Sequence, residues 1–214
     1  MEFASEMVVK SKLAGLKLCE VPTTLKPDGR DRPPHLNTWS DGLRHLRFLL
    51  CFSPRWLFLY PGLFCVLLGL AMAALVMPGP LRVGAVVFDI HTLVYAGGLI
   101  LVGAQGVFFA VLSKVYALTH GLLPPRSADA ASVRFFERIS LGQGVVMGIV
   151  AVVMGVVGSV AAVYGWVDRG LGNYDPGVAM RIVVPSVVLL ALGAQTIFSS
   201  FFLSLMTMPK RDPR

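Results

Sequence analysis

Four long apolar stretches constrain this chain more than anything else in it: Trp56 to Val76, Val86 to about Leu112, Gly144 to Trp166, and Ile182 to about Met206. Each approaches the roughly 20 residues a helix needs to cross a hydrocarbon core of about 30 Å. Many of their residues are Val and Ile, which in water favour strands. In lipid an open strand leaves its backbone groups unpaired and a helix does not, so length decides for helices. With 55% hydrophobic and 14% charged residues among 214, the chain is too apolar for one soluble domain. The expected fold class is an α-helical polytopic membrane protein, with a four-helix transmembrane domain over 56–206 and a basic tail over 207–214.

Lysine and arginine placement sets the expected orientation. Before the first span lie Lys10, Lys12, Lys17, Lys26, Arg30, Arg32, Arg44, Arg47 and Arg55, between the second and third lie Lys114, Arg126, Arg134 and Arg138, and the tail holds Lys210, Arg211 and Arg214. The first connection has only Arg82, and the third only Arg169 and the bordering Arg181. Both termini and the middle loop are therefore expected in the cytoplasm. No signal peptide is visible, because the first apolar run follows a charged stretch. Cys19, Cys51 and Cys65 have no metal-ligand spacing and are expected to be reduced structural thiols.

The segment before the first span has a different character. Phe3, Met7, Val8, Leu13 and Ala14 recur at helical spacing with charged and polar residues between them, and Gly15 suits the C-terminal cap. Leu16–Val21 alternates and stops at Pro22, the pattern of a short strand. A single strand has no partner for its ladder, so residues 1–39 are expected to be the closing helix–strand unit of an α/β domain whose other strands are absent, as a truncated reading frame would leave it. Ser40 to Phe52 places Leu and Phe opposite Arg44, His45 and Arg47, an interfacial amphipathic helix over 40–55 or a basic flank that sets topology. Ser127 to Leu141 is a weaker example of the same pattern.

An internal repeat runs through the spans. Gly103-Ala104-Gln105 with Phe108 matches Gly193-Ala194-Gln195 with Phe198, implying two similar helical hairpins. Gln105 and Gln195 are costly against lipid and are expected to face inward and bond across helices. Ala151, Gly155 and Ser159 form a small-residue seam for close helix packing. Asp89 and His91 are expected at the non-cytoplasmic mouth of the second span, as interfacial rather than functional groups.

Phe3 to Glu6, Glu20-Val21-Pro22, the arginine-bearing loop Arg30 to His35 and the helix Asp41 to Leu50 together resemble the region after the catalytic core in bacterial family 2 glycosyltransferases of the polyprenyl-phosphate (dolichol-phosphate-sugar synthase-like) kind. The resemblance covers about the first fifty-five residues closely, and the following spans in number and order. It implies hexose transfer from a nucleotide sugar to a polyprenyl phosphate at the cytoplasmic face of a bacterial inner membrane. A divalent metal, Mg or Mn, is expected for the full-length family. Metal and donor residues of that family have no counterpart here, so no cofactor, metal ligand or catalytic residue is assigned to this chain, which is expected to be inactive alone.

Only acceptor-side positions carry over. The family's basic loop runs Arg-x-x-Gly-x-Ser-Lys, whereas this chain has Arg30-Asp31-Arg32-Pro33-Pro34-His35, which lacks the Gly, Ser and Lys. Arg30 is the nearest match and Arg32 the alternative, both able to grip a phosphate through the guanidinium fork. His35 is the weakest of these acceptor candidates, Glu6 a support for the active-site loop, and Arg44 and Arg47 lipid contacts. Expected partners are membrane lipid, polyprenyl phosphate and either a catalytic domain or a second copy of the chain, with no nucleic acid. The competing class is an independent four-span scaffold or small transporter.

Overall fold

The computed structural model describes residues 7–8, 10–12, 14–24, 39–44, 46, 55–119, 141–172 and 174–208. Four helices dominate it, each long and apolar enough to cross a membrane. The first, α1, is Tyr60–Val76, entered through a π-helical turn at Arg55–Leu59. It is followed by α2, Ile90–Thr119, α3, Leu141–Val167, and α4, Pro176–Thr207. This is a multi-pass helical membrane protein.

Its buried core is small. Among the described residues the buried apolar side chains are Val76, Leu93, Ala96, Ala110, Val115, Ala117 and Ala162, while most Val, Leu, Met and Phe of the spans lie exposed. In water such a surface would aggregate. In a bilayer the lipid covers it, and what remains to hold helices together is close contact between backbones.

Glycines supply that contact, and they do so twice in the same register. In the first hairpin, a Cβ added at Gly62 would meet the Gly103 carbonyl at 2.7 Å, one at Gly103 the Gly62 carbonyl at 2.5 Å, and one at Gly69 the Ala96 carbonyl at 2.7 Å. In the second, a Cβ at Gly148 would meet the Gly193 carbonyl at 2.8 Å, one at Gly193 the Gly148 carbonyl at 2.7 Å, and one at Gly155 the Ser186 carbonyl at 2.7 Å. Even the flanking contacts correspond, Val66 against Gly103 as Val152 against Gly193, and Ile100 against Gly69 as Leu190 against Gly155. The repeat legible around Gly103 and Gly193 is thus a repeat of packing. Of the small-residue seam expected on α3, Gly155 makes such a contact, with Gly148 beside it. Ser159 instead donates to the Gly155 carbonyl at 2.8 Å. The two hairpins meet mainly along α2 and α4, where Val184 and Val188 approach Gly97.

Three sequence expectations need correction. Val86 does not begin the second span: Leu81–Val83 (β1) and Val86–Phe88 (β2) form an antiparallel hairpin with Leu81 opposite Phe88. Gly84 has φ +62°, and glycine at the first central position of a two-residue turn is what a type II′ hairpin requires. α4 starts at Pro176 rather than Ile182, because Asp175 caps it by accepting from the Gly177 N–H at 2.8 Å and proline suits the first helical position. Arg181 is therefore inside a helix. Lastly, Leu16–Val21 forms no strand, since no strand among the described residues offers it a ladder. The helix before it ends as expected, with Gly15 at φ +76°. There the Leu16 N–H donates to the Ser11 carbonyl and the Gly15 N–H to that of Lys12, the Schellman pattern.

Candidate functional site

The end of the bundle with the two short connections gathers its charged groups. Arg181, one turn into α4, donates through Nη2 to Asp89 Oδ1, through Nη1 to the Gly177 carbonyl, and through Nε to the Val76 carbonyl at 3.4 Å. One guanidinium thereby joins the last residue of α1, the residue before α2, and the start of α4. The Val76 carbonyl lies at the negative end of the α1 dipole, where a cation is favoured. Asp89, expected as an interfacial group, is here the ion-pair partner of Arg181. The pairing is not legible from the apolar run, which starts at Ile182 and leaves Arg181 at its border, outside the helix. The signal available was Asp175-Pro176, a cap and first-turn proline that move the helix start upstream.

With side chains 19% and 34% exposed, the pair is partly screened. Asp89→Asn is expected to lower stability by about 1–2 kcal/mol, the range for a charge-assisted hydrogen bond at a partly exposed site. Arg181→Met, which also frees the two carbonyls, should cost about 2–3 kcal/mol. Thermal unfolding of the detergent-solubilised variants checks this, and an additive double variant would show that the two side chains are not coupled.

The residues proposed from sequence fall into two groups. Glu6, Arg30, Arg32, His35 and Arg47 lie outside the described residues. Arg44 is exposed on a helical stretch that includes residues 39–44. Gln105 and Gln195 occupy corresponding, half-buried positions on α2 and α4. Gln195 Oε1 is shielded from solvent and accepts no hydrogen bond, so the cross-helix bond expected of it is not formed. The helix packed on α4 nearby presents Gly148 and Val152, which bring no side-chain donor.

α4 carries one further polar adjustment. Pro185 removes a ladder donor, and the buried Ser186 hydroxyl donates to the Ile182 carbonyl at 2.7 Å. Among the described residues no group of three or more His, Cys, Asp or Glu could hold a metal ion.

The third connection is tightly built. α3 ends in a second Schellman pattern, the Leu171 N–H donating to the Trp166 carbonyl and the Gly170 N–H to that of Val167. Gly170 and Leu171 both have positive φ, +72° and +59°. Trp166 Nε1 donates to the Gly172 carbonyl at 3.1 Å, and the Arg169 guanidinium lies over the Tyr174 ring, 4.4 Å from its centroid.

Residues 111–207 match the family described as the glycosyltransferase family 2 C-terminal transmembrane region. The chain is also 34% identical, over 204 residues, to the low-salt glycan biosynthesis hexosyltransferase Agl6 of Haloferax volcanii. That alignment takes in 95% of this chain and 47% of the relative, so the chain spans about half the length of the curated relative it matches. No solved structure matches it. The matched region takes in the last turns of α2 and all of α3 and α4, and in that stretch the chain is similar to the membrane part of family 2 glycosyltransferases.

Proposed function

We propose that the chain is the membrane-anchoring and acceptor-side portion of a glycosyltransferase that moves a hexose from a nucleotide sugar to a polyprenyl phosphate at the cytoplasmic face of the cell membrane. The observation that carries this reading is the alignment to a hexosyltransferase over 95% of the chain, which extends beyond the spans into the segment before α1. An anchor alone needs only apolar length. Likeness through the polar segment favours a shared task at the membrane surface. In this reading Arg30 and Arg32 bind the lipid phosphate through their guanidinium forks, His35 lies beside them, Glu6 supports the active-site loop, and Arg44 and Arg47 rest on head groups.

The test is a chimera in which this chain replaces the matched stretch of the Haloferax relative. Membranes carrying it, given polyprenyl phosphate and a panel of labelled nucleotide hexoses, are expected to form a labelled product that partitions into organic solvent. A chimera that inserts yet labels no lipid, beside an active parent, would overturn the assignment.

The same reading requires both termini in the cytoplasm, as the arginine and lysine distribution indicates. Reporter domains fused after Arg214 and inserted near Gly172 are expected on opposite sides of the membrane. The same compartment for both would contradict the four-span path.

A further inference from the structure

The second hairpin carries an open groove of about 520 Å³ at the end with the short connections, lined chiefly by Ala162, Val163 and Trp166 of α3, Tyr174 of the loop, and Ala179 and Val183 of α4. We infer that this groove holds one hydrocarbon chain of a membrane phospholipid, with the lipid's phosphodiester on the Arg169 guanidinium.

The packing repeat shows that the groove is a departure from a filled design. In the register that pairs Gly69 with Gly155 and Ala96 with Ser186, Val76, Asp89 and Leu93 of the first hairpin correspond to Ala162, Ala179 and Val183 of the second. Among the described residues Val76 and Leu93 are the largest fully buried side chains, 1% and 2% exposed. Where the first hairpin buries Val76 and Leu93, the second has shorter side chains and a space. Its volume lies within the roughly 300–1,000 Å³ typical of small-molecule sites.

Chemistry narrows the occupant. The lining is aliphatic and aromatic and sits in the ends of two spanning helices, so the neighbouring phase is hydrocarbon. Trp166 and Tyr174 at the mouth are the residue types that sit at head-group level, and the Trp166 bond to Gly172 holds one of them in place. Arg169 stacks on the other, which orients a guanidinium at the edge of the apolar space while leaving its N–H fork suited to a phosphodiester. Asp168 and Asp175 are close in sequence, and Asp175 is engaged as the α4 cap. The local charge is thus mixed, so recognition rests on the fork of Arg169 and not on a positive field.

The experiment uses the full chain with Trp39→Phe and Trp56→Phe, leaving Trp166 as the single fluorophore. It is placed in phosphatidylcholine nanodiscs containing a rising share of either brominated-chain phosphatidylglycerol or brominated-chain diacylglycerol, which has the same chains and no phosphate. Phosphatidylglycerol is expected to quench Trp166 at about one-fifth the share that diacylglycerol needs, the preference that roughly 1 kcal/mol from one exposed guanidinium–phosphate pair supplies. Arg169→Gln, in an exposed loop, should abolish that preference. Ala162→Leu with Ala179→Phe should remove the saturable quenching by filling the groove. Equal quenching by the two lipids in the parent, or an unchanged preference in Arg169→Gln, would overturn the site. So would quenching by brominated polyprenyl phosphate in clear preference to phosphatidylglycerol, or protection from every lipid, which would mean a second copy of the chain covers the groove.

Discussion

Gly103→Val and Gly193→Val are each expected to destabilise the folded bundle severely. A Cβ at Gly103 would lie 2.5 Å from the Gly62 carbonyl oxygen and 2.7 Å from the Val66 nitrogen, and one at Gly193 would lie 2.7 Å from the Gly148 carbonyl oxygen. These are backbone atoms of a facing helix, so no rotamer change relieves the clash, and the helices must separate. In lipid, separation forfeits the dispersion contact that substitutes for a hydrophobic driving force. Overpacking a relaxable core costs about 1–3 kcal/mol. With a rigid neighbour the cost should exceed about 3 kcal/mol, a large part of the 5–15 kcal/mol that holds an ordinary domain together. The control is Gly98→Ala on the same helix, where an added Cβ meets nothing within 4 Å. It should be neutral or stabilising by up to about 1 kcal/mol through helix propensity. Size-exclusion profiles and melting in detergent decide the matter, and a Gly103→Val protein that melts like Gly98→Ala would show that the crossing is not tight.

Arg30→Ala and Arg32→Ala, made in the active chimera, are expected to cut transfer to polyprenyl phosphate by about 10- to 100-fold each. That is the cost of about 1.5–3 kcal/mol for removing a charge-assisted hydrogen bond to a phosphate. In the sequence both residues stand just before Pro33 and Pro34, and a proline ring fixes its own φ. Arg44→Ala and Arg47→Ala should change acceptor use only slightly, each weakening surface attraction by about 1 kcal/mol. Acceptor KM and kcat for the four variants, with insertion checked by protease protection, separate a phosphate grip from general adhesion. Equal losses at all four positions would mean that the arginines serve only as an electrostatic anchor, and the acceptor assignment would then have to be abandoned while the chimera's activity stood.

The two hairpins use one backbone design for different ends. Both cross on paired glycines, but at the end with the short connections the first is filled by Val76 and Leu93 and tied to α4 through Asp89, whereas the second is open. The crossing geometry is the same in both, whereas Arg181 of α4 covers the end of the first hairpin through the Val76 carbonyl and Asp89. Side-chain size differs there too, with Ala162, Ala179 and Val183 standing where the first hairpin has Val76, Asp89 and Leu93.

What the sequence by itself determined is whatever depends on local pattern and solvent. Apolar length specifies four spanning helices, because lipid leaves a backbone no other partner than itself. The Gly-Ala-Gln repeat specifies two like hairpins, and Gly15 specifies a helix end because only a left-handed residue closes that turn without strain. Element boundaries next to caps and turns were harder: Gly84 with Val86 reads as the start of a span until its cross-strand partner Leu81 to Val83 is recognised, and Asp175-Pro176 starts α4 before its apolar run. Tertiary structure alone decided the pairing of Arg181 with Asp89 and Val76, the shielding of Gln195 Oε1, and the groove beside Trp166. Each of these depends on the rotation of a helix about its axis, a degree of freedom that a uniformly apolar span hardly constrains.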